Sequence, residues 1–298
     1  MQRAELAPAT INLFLHVGAL DQADGKHPIS SLMVFADYGD LVSIEPSDHP
    51  AFALAGPLAA ALEGADPGDN LVQRAVEAIR REVRRPLPSF RLVLEKNLPT
   101  AAGLGGGSSD AGAAFRLVRD ALGLSLNDVK LEAMAASLGA DGAACLWGRP
   151  VLATGRGEVL QVAPTFPTFD AVLVNPGSLC PTGAVYRAFD AMVSSPDESA
   201  PELPEQFESV EEAAAFLSFL RNDLEAPAIS VLPEISEVLE TLRGEPETLL
   251  ARLSGSGATC FALTSGDYEA RSLADRLTSL RPGWWVRPCR LGGPWSQQ

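Results

Sequence analysis

Residues 98–111 read LPTAAGLGGGSSDA, and four of the five positions from 103 to 107 are glycine. The segment follows an alternating apolar pattern over 90–95 that predicts a strand, and it precedes an apolar pattern that predicts a helix. Glycines in such a turn let the backbone adopt positive φ and approach a ligand closely. The free N–H groups at the helix start, together with the Ser108 and Ser109 hydroxyls, would then face an anion.

This glycine-rich segment differs from two well-known phosphate-binding motifs. No Gly-Lys-Ser/Thr closes it, which excludes a P-loop, and Ser108 stands where the dinucleotide-binding fingerprint has its third glycine. A plain flexible connector is the alternative, but the density of glycines and the Ser-Ser pair directly before a helix disfavour it. The segment therefore predicts a phosphate site of another class.

The net charge of the chain limits the classes of partner that it is expected to bind. It has 298 residues, with 23 Lys and Arg against 38 Asp and Glu, a formal net charge of −15. The length suits two domains of about 150 residues or one large α/β domain. The negative charge argues against nucleic acid or an anionic membrane as partner, because both reward basic patches. It does not argue against a phosphate ligand, which a few backbone N–H groups hold locally.

Targeting and cysteine patterns indicate a cytoplasmic protein. No apolar run reaches the roughly 18 residues of a membrane span, and polar residues interrupt any signal-peptide core near the start of the chain. The cysteines form no CxxC pair, which disfavours zinc, and each lies in an apolar stretch. We expect Cys145, Cys180, Cys260 and Cys289 to be buried and reduced in a protein that binds no membrane.

Strand and helix patterns alternate along the chain, which indicates an α/β fold with a boundary near residue 160 and a polar loop at 194–208. Asp69 is the expected N-cap of the first helix, and Ser108 or Ser109 that of the second. Strands are predicted at 10–17, 41–45, 90–95, 151–153, 171–174, 259–263 and 284–289. Helices are predicted at 70–83, from 108 or 109 to 122, and at 127–138, 210–220, 235–242 and 267–280.

Two further segments, near the two ends of the chain, add to the glycine-rich loop. Residues 8–13 read PATINL, and residues 253–259 read LSGSGAT, a second glycine loop. In this order the three segments resemble the GHMP kinase superfamily, whose members have a Pro-Ala-Lys-Ile-Asn-Leu-like segment, a central glycine loop and a C-terminal Gly-Ser-Gly loop. Further segments resemble the branch of that family that phosphorylates a cytidine-diphosphate-linked methylerythritol; they lie at 23–27, 37–40, 69–71, 138–141 and 222–225.

The resemblance covers nearly the whole chain and implies both fold and activity. It implies a two-lobed α/β (α+β) GHMP kinase fold, with the active site in the cleft between the lobes. The N-terminal lobe, 1–160, would be an ATP-binding domain of ribosomal-protein-S5-like type, and the C-terminal lobe, 161–298, a ferredoxin-like α/β substrate domain. The implied reaction transfers phosphate from ATP, with Mg²⁺, to the 2-hydroxyl of that small molecule, in the non-mevalonate route to isoprenoids. A monomer or homodimer is expected, without nucleic acid.

The same matches imply roles for individual residues. Asp141 stands in the family's catalytic position, where a carboxylate accepts the proton of the attacking hydroxyl. His27 matches a contact to cytosine, and Tyr186 could stack on that ring. The implied ATP site comprises Asn70, Leu71, Lys96, Pro99, Gly103, Leu104, Gly105, Gly106, Gly107, Ser108 and Ser109. The implied substrate site comprises Asn12, Lys26, His27, Asp141, Thr182, Tyr186, Gly255, Ser256 and Gly257, and no metal ligand is assigned.

Four of these residues have ordinary structural alternatives. Asp141 could be a carboxylate in the turn that ends a helix, and His27 a surface-loop histidine. Tyr186 could be a core residue, and Lys96 the solvated end of a strand.

Thr10 is the main departure from the family pattern. The family has a lysine there, beside the catalytic aspartate, where it stabilises developing charge. Losing one such partner typically costs about 10²–10³-fold in rate. Residues 142–143, Gly-Ala, replace a Val-Pro pair, Lys26 replaces an aromatic residue and Gly183 replaces a proline. We therefore expect nucleotide binding with slow or absent transfer, unless Lys26, Arg149 or another cation compensates for Thr10.

Three functions stay open on the sequence alone. The first is a kinase of this branch with an impaired site. The second is a non-catalytic relative that binds a nucleotide or a cytidine compound. The third is a GHMP kinase for another small alcohol, such as a mevalonate-like or homoserine-like substrate, which the segments at 23–27 and 222–225 disfavour.

Overall fold

The computed structural model describes residues 3–23, 25–64 and 66–295, so Asp24 of the matched segment at 23–27 lies outside the described residues. The strands are β1 (Arg3–Val17), β2 (Ile29–Pro46), β3 (Ala51–Ala55), β4 (Phe90–Glu95), β5 (Val151–Thr154), β6 (Val159–Val162), β7 (Phe169–Asn175), β8 (Thr248–Leu253), β9 (Cys260–Thr264) and β10 (Trp285–Gly292). The helices are α1 (Leu71–Val83), α2 (Gly106–Ala121), α3 (Asp128–Leu138), α4 (Gly142–Trp147), α5 (Thr182–Met192), α6 (Val210–Ser218), α7 (Glu225–Val231), α8 (Glu234–Gly244) and α9 (Asp267–Leu280).

The strands form one mixed sheet, in the order β3-β4-β2-β10-β7-β9-β8, with β1 and β5 paired to β2 and β6 paired to β5. β1 and β2 make a long antiparallel pair from Arg3↔Ile44 to Val17↔Ile29. The last strand, β10, joins the two halves of the chain. It pairs with β7 over its length but with β2 only through Leu291 and Gly292, so the strand pairing between the halves is short. Buried side chains of both halves, such as Phe14 and Phe261, pack together across this join.

Helices cover the sheet in each half. In the N-terminal half, α1 and α2 pack over β2 and β4 and bury Ile79 and Phe115. In the C-terminal half, α5, α8 and α9 pack over β7, β8 and β9 and bury Phe189 and Leu277. Each such side chain contributes about 1.5–3 kcal/mol by leaving water, which anchors the helices on the sheet. None of the described helices is both long and apolar enough to cross a lipid bilayer.

Most predicted elements are confirmed, and two helix starts differ for local reasons. Asn70, not Asp69, caps α1, because its Oδ1 accepts the N–H of Val72 at 3.0 Å while Asp69 belongs to the preceding 3-10 turn. α2 starts at Gly106, before the predicted serines. Gly105 takes a left-handed conformation (φ 59°) that turns the chain straight into the helix.

Strand β2 begins at Ile29 rather than at the predicted residue 41. Its first half is buried on both faces, so the period-2 alternation that marks a half-buried strand is missing. The elements that the pattern did not predict are mostly short, namely β3, β6, β8, α4, α5 and α7.

Candidate active site

The segments at 8–13, 98–111 and 253–259 meet in one cleft of about 470 Å³. Backbone and side-chain hydrogen bonds hold them together: Thr10 N–H donates to Leu104 O at 2.8 Å, and Ser254 Oγ donates to Gly103 O at 2.9 Å. Thr259 N–H donates to Ala102 O at 3.1 Å. The expectation that the two ends of the chain come together at the glycine-rich loop is confirmed.

The glycine-rich loop has the tight geometry that its composition predicts. A side chain at Gly103 (φ 71°) would place its Cβ 2.2 Å from Ser254 O, and one at Gly105 would place it 2.8 Å from Thr10 Oγ1. The first intrahelical bond of α2 runs from Ser109 N–H to Gly105 O, so the N–H groups before it have no helical partner. The positive end of this helix, with these donors, opens into the cleft and suits an anion.

Asp141 lines the same cleft from the N-cap position of α4, where its side chain caps nothing. It therefore begins a helix, rather than ending one. Burial raises the pKa of Asp141, and it is the one cause of that shift. The Asp141 charge acts on two neighbours. Burial, with Asp141 adding to it, raises the pKa of both Cys145 and Tyr186 to about 12. A carboxylate in this position can accept a proton from a hydroxyl bound in the cleft.

Thr10 packs against the same helix turn. Its Oγ1 lies 3.4 Å from Cys145 Sγ, and the Cys145 N–H donates to the backbone oxygen of Asp141 at 2.9 Å. Among the described residues that line the cleft, the one Lys or Arg is Lys96. Thr10 therefore brings an uncharged hydroxyl to the position where the resemblance implies an ammonium.

Neither of the two named compensating cations lies in this cleft. Arg149 lines a second cleft of about 640 Å³ on the far side of α4, with Trp147 and Glu158. Lys26 lies in an exposed turn, where its backbone pairs with that of Asp21. Neither Lys26 nor Arg149 therefore lies among the described residues that line the cleft, where a cation could replace the charge missing at Thr10.

Lys96 is buried rather than solvated. Its ammonium contacts Asp40 and lies 3.1 Å from Asp110 Oδ2. Burial lowers the pKa of Lys96, but the attraction of Asp110 and Asp40 outweighs it, so the pKa is raised and the ammonium stays charged. The solvated-end interpretation of Lys96 is wrong.

The other side of the cleft is built by α1 and the end of β1. Asn70 and Leu71 line it, and a Cβ at Gly107 would lie 3.3 Å from Leu71 Cδ1. Asn12 Nδ2 donates to Ser31 Oγ at 2.8 Å, and the Thr182 and Ser256 hydroxyls lie 2.9 Å apart. The first hydrogen bond joins β1 to β2, and the second joins α5 to the second glycine loop.

His27 lies behind Tyr186, which lines the cleft. Its ring stacks on Tyr186, with centroids 5.1 Å apart and planes at 28°. Its Nδ1 lies 2.9 Å from Gly18 O, and its Nε2 lies 3.4 Å from Asp190 Oδ1. The side chain is only 6% exposed, so His27 is not a surface-loop histidine.

Most predicted site residues line the cleft. Of the described residues predicted for the site, four do not: Ser109, Lys26, His27 and Gly257. The Ser109 hydroxyl is buried near the Cys145 thiol and its N–H is used within α2, so contacts to phosphate would come from its neighbours.

Sequence reasoning missed the acidic partners of Lys96. Asp40 and Asp110 stand in the matched segments but were given no role. The sequence carried only a partial signal: a lysine, if buried, requires a buried carboxylate, but the pattern did not show that Lys96 is buried. Other lining residues that were missed are Leu15, Ile29, Leu62, Asp69, Val72, Thr100, Ala101, Ala102 and Leu224.

Comparisons with known proteins agree over the whole chain. A family model described as GHMP kinases N terminal domain matches residues 70–149, and one described as GHMP kinases C terminal matches residues 199–282. A Caulobacter vibrioides (strain NA1000 / CB15N) protein named 4-diphosphocytidyl-2-C-methyl-D-erythritol kinase is 60% identical over 98% of this chain and 100% of its own. A Cereibacter sphaeroides (strain ATCC 17025) protein of the same name is 43% identical over 96% of this chain and 98% of its own.

Solved structures share the fold. A crystal structure of 4-(cytidine 5'-diphospho)-2C-methyl-D-erythritol kinase has a TM-score of 0.77 and 33% identity, covering 99% of this chain and 100% of that one. Homoserine kinase from Cytophaga hutchinsonii has a TM-score of 0.68 over 99% of this chain and 96% of that one, with 18% identity, a likeness of fold alone.

Proposed function

Because the chain belongs to the GHMP kinase family, we propose that it phosphorylates the 2-hydroxyl of 4-diphosphocytidyl-2-C-methyl-D-erythritol with ATP. The observation that carries this is the cleft in which the N-terminus of α2 and the Asp141 carboxylate face a common space. The end-to-end identity of 60% to a protein of that name supports the choice of alcohol. The reaction belongs to the non-mevalonate route to isoprenoids.

The phosphate chain of ATP is held by the N-terminus of α2. The unpaired N–H groups around Gly106 and Gly107 donate to phosphate oxygens, and the helix dipole favours their charge. Asn70, Leu71 and Pro99 line the part of the cleft beside this loop and receive the nucleoside. Backbone donors matter here because the chain carries a net charge of −15 and ATP is an anion.

Asp141 takes the proton of the attacking hydroxyl. The substrate oxygen forms a bond to the γ-phosphorus, the bond from that phosphorus to the β,γ-bridging oxygen breaks, and ADP leaves. The hydroxyl proton passes to the Asp141 carboxylate. Since burial raises the pKa of Asp141, the carboxylate is a stronger base than an exposed aspartate.

Mg²⁺ fits this site as an ion carried in on ATP. Mg²⁺ neutralises charge on the transferring phosphates when bound, and it usually keeps several waters and few protein ligands. The described residues contain no group of three or more His, Cys, Asp or Glu side chains placed to hold a metal. The phosphates and water would supply most of the ligands of the ion, and the Asp141 carboxylate in the same cleft could supply one more.

The cytidine end of the substrate lies on the Tyr186 side. Tyr186 lines the cleft and is backed by His27, and an aromatic face there stacks on a nucleobase. Asn12, Thr182 and Ser256 supply polar contacts between this face and Asp141.

The lobes meet near residue 160, and the enzyme acts in the cytoplasm as a monomer or homodimer. Its four cysteines are free and buried, which suits a reducing compartment.

The rate of transfer is reduced because Thr10 carries no charge. A second function follows from the same observation: a relative that binds the nucleotide without turnover. The test is to incubate the purified chain with ATP, Mg²⁺ and the proposed alcohol and to follow ADP release and the new phosphomonoester by ³¹P NMR. Mevalonate and homoserine serve as control acceptors. Product from the cytidine compound alone supports the kinase, product from a control acceptor alone contradicts the choice of alcohol, and ATP binding with no product supports the non-catalytic relative.

A further inference from the structure

Two carboxylates share one ammonium beneath the first turn of α2. Lys96 Nζ contacts Asp40 Oδ2 and Asp110 Oδ2, and the three side chains are at most 4% exposed. A Cβ built on Gly106 would lie 3.6 Å from both Asp40 Oδ2 and Lys96 Nζ. The cluster therefore forms the floor under the N–H groups that face the cleft.

The two carboxylates have different surroundings. Asp40 Oδ1 accepts the backbone N–H of Asn97 at 2.6 Å and of Leu98 at 2.9 Å, in addition to the Lys96 contact of its other oxygen. Among the described residues, Lys96 is the one donor that the Asp110 carboxylate contacts, and Asp110 Oδ1 is buried without a partner. Because hydrogen-bond donors stabilise the ionised form, the negative charge belongs on Asp40.

A proton on Asp110 has an acceptor close by. Asp40 and Asp110 each contact the same Lys96 ammonium through Oδ2, so a proton on Asp110 lies beside the Asp40 carboxylate. Burial is the main cause that raises the pKa of Asp110 well above its usual range; Lys96 opposes the shift and Asp40 adds to it. Two carboxylates beside one ammonium hold one proton between them for the same reason.

Resting on the proposed function, we propose that Asp110 is a positioning residue that carries a proton while ATP is bound, which keeps the cluster under the phosphate loop neutral. With that proton, the charges of Lys96 and Asp40 cancel. When Asp110 ionises, one net negative charge lies under the bound phosphates, repels them and weakens ATP binding.

The groups around Asp110 leave Lys96 and Asp40 as the ones that set its charge. From α4 the Cys145 thiol faces it, and burial keeps that thiol neutral. β1 faces the loop and first turn of α2 with Thr10, α1 with Leu71 and the end of α3 with Gly139, none of which titrates. A pH dependence that Asp110→Asn removes would therefore belong to Asp110.

The experiment measures the dissociation constant of the Mg²⁺ complex of the non-hydrolysable β,γ-imido analogue of ATP by calorimetry, from about pH 5.5 to about pH 9.5. The parent is compared with Asp110→Asn, whose amide can accept from Lys96 and donate to Asp40 as a protonated carboxyl does. Asp120→Asn, on the exposed end of α2, controls for net charge alone. The ratio of parent to variant cancels the titration of the analogue itself.

We expect the ratio of the parent's dissociation constant to that of Asp110→Asn to rise about tenfold from the lowest to the highest pH, and the ratio to Asp120→Asn to stay flat. Parallel curves for parent and Asp110→Asn overturn the role of Asp110 while leaving the proposed function intact. No binding of the analogue by the parent at any pH overturns both. If Asp110→Asn does not fold, ¹³C NMR of the aspartate carboxyls of Asp141→Asn decides, because burial also raises the pKa of Asp141 and its resonance must be removed first. A resonance that still titrates well above the ordinary range is required, and its absence overturns the proposal.

Discussion

The Thr10 hydroxyl oxygen lies 3.4 Å from the Cys145 sulfur, one helix turn from Asp141. This contact joins β1, at the point where it lines the cleft, to α4, the helix that begins at Asp141. Two neutral groups therefore occupy the space beside the proposed base, where the resemblance implies an ammonium. The position of Asp141 is supported by packing, whereas the charge that would assist it is missing.

Thr10→Lys is expected to raise kcat by about 10²-fold, because an ammonium beside Asp141 would stabilise the charge that develops on transfer. Thr10→Met is the matched control, since it has similar length without charge. The lysine should also lower the pKa of Asp141 by attraction, so the acidic limb of the pH–rate profile should move to lower pH in Thr10→Lys alone. Steady-state ADP release across pH measures both, and equal rates for the lysine and methionine variants would show that no charge is lacking.

Asp141→Asn is expected to lower kcat by about 10²–10⁴-fold with little change in the affinity for ATP. The carboxylate works as a base only when ionised, and burial raises its pKa. Activity of the parent should therefore fall as pH drops through a value above the ordinary aspartate pKa of about 4, and the residual activity of Asp141→Asn should lack this limb. The measurement is kcat against pH together with calorimetric ATP binding. If Asp141→Asn keeps the full rate, a group other than Asp141 accepts the proton of the attacking hydroxyl.

Much of this site could be predicted from the order of three short segments, because glycine loops and the helix that follows them depend on local sequence. The direction of α4 could not, since the Gly-Ala pair after Asp141 carries no strong helix signal. The pairing of Lys96 with Asp40 and Asp110 depends on β2 and α2 meeting at the end of β4, and periodicity does not report such distant contacts. For the same reason the sequence could not show that Arg149, named there as a cation that could compensate for Thr10, lines another cleft.

The cysteines are expected to resist alkylation in the folded protein. Burial raises the pKa of Cys145 to about 12 and also raises the pKa of Cys180, Cys260 and Cys289. Since the thiolate is the reactive form, iodoacetamide at neutral pH should label none of the four until the chain unfolds. Intact mass before and after denaturant counts the labels. Rapid labelling of Cys145 in the native protein would contradict its burial between Thr10 and Asp141.

Tyr186→Ala is expected to raise the KM for the cytidine substrate by about tenfold or more, because stacking on a base contributes about 1–3 kcal/mol. Tyr186→Phe keeps the ring and should stay close to the parent. The KM for ATP should not change in either variant, since Tyr186 lies on the far side of the cleft from Leu71 in the proposed arrangement. Steady-state kinetics with each substrate varied in turn tests this. A rise in the KM for ATP in Tyr186→Ala would contradict the proposed arrangement, in which ATP lies on the Leu71 side and cytidine on the Tyr186 side.

Gly103→Ala is expected to abolish measurable ATP binding and to lower the stability of the fold. Its Cβ would lie 2.2 Å from the backbone oxygen of Ser254, so the two glycine loops must move apart. Gly123→Ala is the matched control: Gly123 also has positive φ (57°), but its Cβ would meet nothing within 4 Å. Both variants bear the roughly 1 kcal/mol cost of a left-handed alanine, and only Gly103→Ala adds the clash. Thermal unfolding and calorimetric ATP binding separate the two effects; equal losses in both variants would mean that backbone strain alone, and not the contact between the loops, governs the site.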